Sequence, residues 1–286
     1  MNNKKKIQEF IAFRLFSLVS FMVVAVLFII LGFIVIRGIS AINWTFLTAM
    51  PDQGMTEGGI YPAIVGTLYL VFFSMLFAFP VGVLSAIYMN EYLKESLYKK
   101  VIRSMTNNLS GIPSIVFGLF GMALFVNHLK FGDSIIAGSL TLAIMALPVI
   151  IRTTEEALKS VDDSLREASY ALGASKLQTI RKIVLPIAFP NIITGLILSI
   201  SRVSGETAPI LFTVAAYFLP KLPDSIYDQV MALPYHLYVL TTSGTNVEKS
   251  RPMAYGTALV LIAMVLIFNL IANRIRKSYS NRSKSK

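Results

Sequence analysis

Cysteine is absent from this sequence of 286 residues, which excludes disulfides, thiolate metal centres and cysteine nucleophiles together. Histidine occurs only at His128 and His236, too few and too scattered for a histidine-based metal site. No GxxxxGK[ST] segment exists, so the chain has no P-loop with which to hydrolyse ATP. Charge is scarce too, at 14% of residues against about 25% in an ordinary soluble domain. What fills the chain is apolar: 55% hydrophobic residues and a mean hydropathy of +0.67. A water-facing surface cannot be built from this composition, and disorder is excluded with it. The sequence describes an all-α, polytopic membrane protein.

Crossing a bilayer takes about 20 apolar residues. Leu15–Ile36 is uncharged and longer than a signal-peptide core, with no small-residue cleavage site, and reads as a first span. Ile60–Met89 is the second, with Pro62 at its entrance and Pro80 inside. Leu109–Val126 is the third, its small residues Gly111, Ser114 and Gly118 spaced for close helix approach. Ile135–Ile151 is the fourth. A fifth runs from Ile187 to about Leu219 and is expected to break near Gly205; Tyr255–Ala272 is the sixth. Between the last two, 225–240 reads as a short helix or lid.

The formal charge of +11 follows from topology rather than from a nucleic-acid partner. Twenty of the 26 Lys and Arg residues fall in the N-terminal tail, in 90–108, in 152–186 and in the tail from Asn273. Six lie elsewhere, at Arg37, Lys130, Arg202, Lys221, Lys249 and Arg251. The positive-inside rule then puts both termini and the two charged loops in the cytoplasm. The organisation expected is a tail over 1–14, a first helix over 15–36 packed outside the rest, a core of five helices over 60–272, and a basic tail over 273–286.

The 152–186 loop is too long for a plain connection. Ser164-Leu165-Arg166-Glu167 has the form of a capping box, with Ser164 as the helix cap and Glu167 reaching back to it. The helix would carry Ala168, Ala171 and Leu172 on one face and end at Gly173, where positive φ costs nothing. A second helix restarts near Ser175 with Leu177, Ile180 and Val184, before Pro186 and Pro190 return the chain to the membrane. Residues alone allow two readings: an amphipathic pair on the lipid surface, or a docking element that passes force to the spans.

Within the fifth span, Arg202 and Glu206 interrupt an apolar run at i, i+4. Arginine in mid-bilayer costs roughly 2.5–3.5 kcal/mol on insertion scales, so such residues face a bundle interior or water. They form either a structural ion pair or an anion contact, in which the planar guanidinium fork suits phosphate oxygens. In the second case Ser204 and Thr207 offer hydroxyl donors and Gly205 marks a helix break that frees backbone amides.

Two segments carry a family resemblance. Glu167-Ala168-Ser169, then Gly173, then Ile183-Val184-Leu185-Pro186 resembles the EAA loop of ABC importer permeases in every spacing, with Ser169 replacing the second alanine. Ser201-Arg202-Val203-Ser204-Gly205-Glu206-Thr207-Ala208-Pro209 resembles the SRAxGETAP segment of phosphate-import permeases. The Gly58-Gly59-Ile60 entrance to the second span is similar to that of the PstA-type permeases among them. The resemblance implies the type I ABC importer permease fold and a transport subunit that is not itself an enzyme. It implies ATPase coupling through Glu167, Ala168, Gly173, Leu185 and Pro186, and phosphate passage at Arg202 and Glu206, beside which Ser204 and Thr207 are the expected hydroxyl donors. Implied partners are a PstC-like permease, two ATPase subunits of PstB type that bind ATP and Mg, and an extracytoplasmic phosphate-binding protein of PstS type. The setting implied is the cell membrane of a bacterium or archaeon. Rival expectations are an ABC permease for sulfate or molybdate, and an ion-coupled secondary transporter, which should break helices in both halves.

Overall fold

In hydrocarbon every backbone amide and carbonyl needs an internal partner, so apolar runs of this length become helices. The computed structural model describes residues 3–243 and 247–284, and twelve helices carry most of them. The first, α1 (Asn3–Gly38), is exposed along its apolar length. It meets the rest of the chain near its end, where Phe33 packs edge-on to Tyr255 at 5.6 Å. At Gly38 the backbones close up: a Cβ there would lie 2.6 Å from the Tyr255 carbonyl. A short α2 (Trp44–Thr48), capped by Asn43, and a small hairpin of β1 (Pro51–Asp52) and β2 (Glu57–Gly58) follow.

The centre is α3 (Tyr61–Ile87) laid against α6 (Ile135–Lys159). Leu70, Met75 and Ala78 interlock with Leu142, Met145 and Ile150, all buried. Gly82 permits the close approach, since a Cβ there would meet Ile150 at 2.6 Å. The expected prolines hold their places: Pro62 in the first turn of α3, where its missing N–H costs nothing, and Pro80 within it. Past Ile87 the helix widens into a π turn over Tyr88–Tyr92.

The third span departs from expectation. The apolar run hides a bend: α4 (Leu97–Leu109) ends and α5 (Ser114–Gly121) begins after Pro113, at 101° to it. Proline has no amide to continue the ladder and pushes the residue before it out of helical geometry. The straight segment therefore starts at Ser114, not Leu109, and runs through a π turn to His128. Gly111 lies in the bend and packs against no other helix, whereas Gly118 and Gly121 contact Ala208 and Thr141. Among the described residues five helices are long and apolar enough to span a membrane, and the bent pair is the candidate for a sixth.

Within 152–186, α6 runs on to Lys159 and two short helices follow, α7 (Asp163–Ala171) and α8 (Lys176–Thr179). A π turn over Ile180–Val184 then leads into α9 (Leu185–Ser204), about 30 Å long at about 1.5 Å per residue. Beyond the break expected at Gly205 stands a single turn, α10 (Ala208–Leu211), rather than a further half-span. Residues 212–232 are irregular, and α11 begins only at Leu233 (Leu233–Thr242), so the expected helix over 225–240 forms in its second half alone. The long α12 (Val247–Lys284) packs on α9, where Ser201 donates a hydrogen bond to Asn269 Oδ1 at 2.7 Å.

The irregular 212–232 segment is held by backbone needs. A helix leaves its first four amides unpaired. At the start of α6, the Ile135 and Ile136 amides donate to the Asp228 and Ile226 carbonyls, and Ser134 donates to Thr213. On the α3 side, the Leu233 amide donates to the buried Thr67 hydroxyl at 2.8 Å. The segment thus bridges the ends of α3 and α6 that lie away from the 152–186 loop.

Candidate functional site

Two sites stand at opposite ends of α9. At its far end the helix closes on itself: the Gly205 amide donates to Arg202 O at 3.1 Å and the Glu206 amide to Val203 O at 3.3 Å. These two amides are therefore taken, contrary to the expectation that the break frees them. Gly205 has φ −102°, which any residue adopts, and almost nothing stands near the place of its missing Cβ. Arg202 Nε lies 3.5 Å from Glu206 Oε1, with 36% and 17% of the side chains exposed. The pair is in contact but loosely, and the guanidinium keeps donors that Glu206 does not use.

Ser204 is corrected as a donor. Its side chain is buried and its hydroxyl donates to Ile200 O at 2.7 Å, as serine commonly does one turn back in a helix. Thr207 is half-buried at the start of α10 and makes no capping hydrogen bond with its side chain. Gly118 fixes the position of this turn, since a Cβ there would meet the Ala208 carbonyl at 2.8 Å and the Phe212 ring at 3.0 Å. A half-buried arginine, its carboxylate partner and a hydroxyl with no hydrogen bond among the described residues thus share one break, backed by α5.

At the near end, α7 is capped by Asp162 and not by Ser164. The Asp162 carboxylate accepts from the Ser164 amide at 2.9 Å, and the amide and hydroxyl of Ser164 hold that carboxyl below its usual range. A charged oxygen at the helix's positive end outcompetes a hydroxyl two residues later, and the expected reach of Glu167 back to Ser164 is absent. The capping box is one helix further on, where Ser175 and Gln178 satisfy each other's amides.

Gly173 has φ +78°, and the bonds Ala174 N to Ser169 O and Gly173 N to Tyr170 O close α7 as a Schellman motif. Ser169, which replaces the family's second alanine, is buried and shares a 2.8 Å hydrogen bond with Thr179. Glu167, Ala168 and Pro186 are exposed and Leu185 is half-buried. Leu172 is 89% exposed and Leu177 65%, so Leu177 does not join buried Ile180 and Val184 on one face as its spacing suggested. The loop presents a bare apolar surface beside Glu167.

One anchor was not read from the sequence. Arg166 donates from Nη2 to Glu91 and to Leu158 O, both at 2.9 Å, and from Nη1 to Val161 O at 2.8 Å and Asp163 at 3.0 Å. Glu91 belongs to the π turn that ends α3. Nothing local marks two residues 75 apart as partners.

Residues 78–285 match the family described as the binding-protein-dependent transport system inner membrane component. The chain belongs to this family. A probable ABC transporter permease of Bacillus subtilis is 36% identical over 94% of this chain and 95% of its own length. The phosphate transport system permease protein PstA of Mycobacterium leprae is 38% identical over 96% of this chain and 90% of its own. Among solved structures, a bacterial alginate ABC transporter shares the fold, with a TM-score of 0.65 at 16% identity over 91% of this chain and 93% of the other. The permease is therefore an all-α, polytopic membrane subunit of the type I ABC importer fold.

Proposed function

We propose that this permease carries inorganic phosphate inward, with the pathway at the α9 break and the drive supplied through the 152–186 loop. The likeness to a phosphate transport permease along nearly the whole chain carries the reading. Its chemistry is supported by Arg202, a planar donor fork only loosely held by Glu206. Thr207 supplies a neutral donor beside it. Glu206 holds the guanidinium while the path is empty and yields it when an anion arrives.

The exposed surface of Glu167, Ala168, Leu172 and Leu177 is the docking face for an ATPase subunit of PstB type, with Gly173, Leu185 and Pro186 shaping its edges. Two such subunits bind ATP and Mg; this chain lacks a P-loop and does no nucleotide chemistry. A PstC-like permease completes the heterodimer, and a PstS-type protein delivers phosphate from outside. Both termini and the docking loop face the cytoplasm, which the excess of Lys and Arg on that side supports. Nucleotide-driven closure of the ATPases draws the loops together and reorients the spans.

The test is uptake of radiolabelled phosphate at low external phosphate by cells lacking this gene, with and without its return. Restored uptake that unlabelled phosphate suppresses, and sulfate or molybdate does not, is the expected result. Suppression by sulfate or molybdate instead would transfer the assignment to another oxyanion. Restored uptake that persists in an ATPase-deficient background would favour an ion-coupled carrier.

A further inference from the structure

Docking gives the permease a place to be pushed but leaves open how the push reaches α3. The chain itself leads from the loop to α6 and α9. The central helix α3 is not joined to the loop in sequence, yet its end is gripped by it twice. Arg166 of α7 donates to Glu91 at 2.9 Å, with only 12% and 6% of these side chains exposed. Lys176 of α8 sits over the Tyr92 ring at 5.0 Å. Tyr92 in turn stacks on Tyr88 one turn back, at 6.2 Å. Both gripped residues lie in the π turn Tyr88–Tyr92, a helix distortion often found at functional sites because it can tighten or relax without breaking the helix.

The chemistry of Arg166 explains why one side chain suffices. Two of its nitrogens serve four acceptors: the Glu91 carboxylate in the π turn after α3, the Leu158 carbonyl in the last turn of α6, the Val161 carbonyl just past it, and the Asp163 carboxylate at the start of α7. Only the guanidinium fork has enough fixed donors for this; an ammonium has three on one mobile atom. The far end of α3 touches the other site's surroundings. Thr67 accepts from the Leu233 amide, and a Cβ on Gly66 would lie 2.0 Å from the Met231 carbonyl, in the segment that follows the α9 break. Helix α3, about 40 Å long at about 1.5 Å per residue, thus runs from the loop to the segment that follows the α9 break in the chain.

We propose that the Arg166–Glu91 ion pair, with the Lys176–Tyr92 contact beside it, is the transmission contact through which loop movement drives α3. This deepens the docking reading above and rests on it. Arg166 and Glu91 are positioning residues: neither touches the transported ion. Glu91 holds the end of α3 to the loop, so that displacement of α7 carries α3 with it instead of being lost in the π turn.

The test uses the complete complex of both permeases, the ATPase and the binding protein, reconstituted in proteoliposomes with labelled phosphate. Phosphate imported per ATP hydrolysed is measured for Glu91→Gln, Arg166→Gln and the double variant. Each single change should leave ATPase co-purification intact and cut the transport-to-hydrolysis ratio about tenfold, within the range seen for changes along coupling routes. The double variant should be no worse than either single one, because both remove the same contact. Arg166→Lys should recover part of the ratio. Tyr92→Leu lies on a 45% exposed residue, so its folding is not at stake, and it should lower the ratio more mildly. An unchanged ratio in Glu91→Gln, or in Tyr92→Leu should the buried variants fail to assemble, overturns the proposal while leaving docking intact. Failure of the unaltered chain to co-purify with the ATPase overturns docking, and this inference with it.

Discussion

Ser169 and Thr179 are joined by a 2.8 Å hydrogen bond that ties α7 to α8 inside the projecting loop. Both side chains are buried, and Thr179 has a second partner in Ser175 O at 3.2 Å. Ser169→Ala, which restores the residue usual at that place, therefore strands no buried hydroxyl. Its cost should be that of one neutral hydrogen bond, about 1 kcal/mol, with ATPase co-purification unchanged. Thermal unfolding in detergent checks the first expectation and a pull-down the second. A lost pull-down would mean that the bond sets the shape of the docking face.

Gly173 is constrained by conformation and not by space. Its φ is +78°, yet nothing lies within 4 Å of where a Cβ would be. Replacement by a β-branched residue should cost roughly 1–2 kcal/mol of backbone strain, and by asparagine less. Gly173→Asp should insert in the membrane at normal levels and lose co-purification with the ATPase, since a charge then projects at the face proposed for docking. Normal pull-down by that variant would refute the docking role of the loop.

Gly118 and Gly111 look alike in the sequence and should behave differently. A Cβ on Gly118 meets the backbone of Ala208 at 2.8 Å, which cannot swing aside, whereas Gly111 has only Asn108 O at 3.5 Å. Gly118→Val should lower stability by about 1–3 kcal/mol through overpacking and reduce uptake by displacing the turn after Arg202. Gly111→Ala should change neither. Thermal unfolding of the two variants in detergent, beside their uptake, separates the positions.

His236 is buried in α11, and neither ring nitrogen has a hydrogen-bond partner among the described residues. Burial lowers its pKa to about 4, so it is neutral near pH 7. The unfolded chain, with an ordinary value of about 6.5, takes up a proton first as pH falls. Between about pH 6.5 and 4 the folded state should therefore lose up to about 3 kcal/mol from this group alone. His236→Met should flatten the fall in unfolding temperature across that window. An equal fall in both proteins would show that the histidine finds a partner when charged.

Much of this arrangement was legible from the residues because it rests on local physics. Long apolar runs must be helical, and Arg202-Val203-Ser204-Gly205-Glu206 marked the break in α9 by placing charge where hydrocarbon was due. The misreadings share a cause. Ser164 fitted a capping pattern, but Asp162 offered a charged acceptor two residues earlier. Leu109–Val126 was uninterrupted in hydropathy, which cannot register the 101° bend made by Pro113. Ser204 had the right chemistry for an anion contact, but the α9 backbone took its hydroxyl. Arg166 and Glu91 carried no signal at all, because their meeting depends on how α3, α6 and the loop pack.

Reconstituted transport tests the central claim most directly. The complete complex, with Arg202 intact or changed to alanine, would be placed in proteoliposomes with ATP inside and labelled phosphate and its binding protein outside. The account predicts ATP-dependent phosphate entry with Arg202, and loss of entry with Arg202→Ala while the ATPase remains bound. Equal phosphate entry by the two complexes would contradict it and reduce Arg202 and Glu206 to a packing contact.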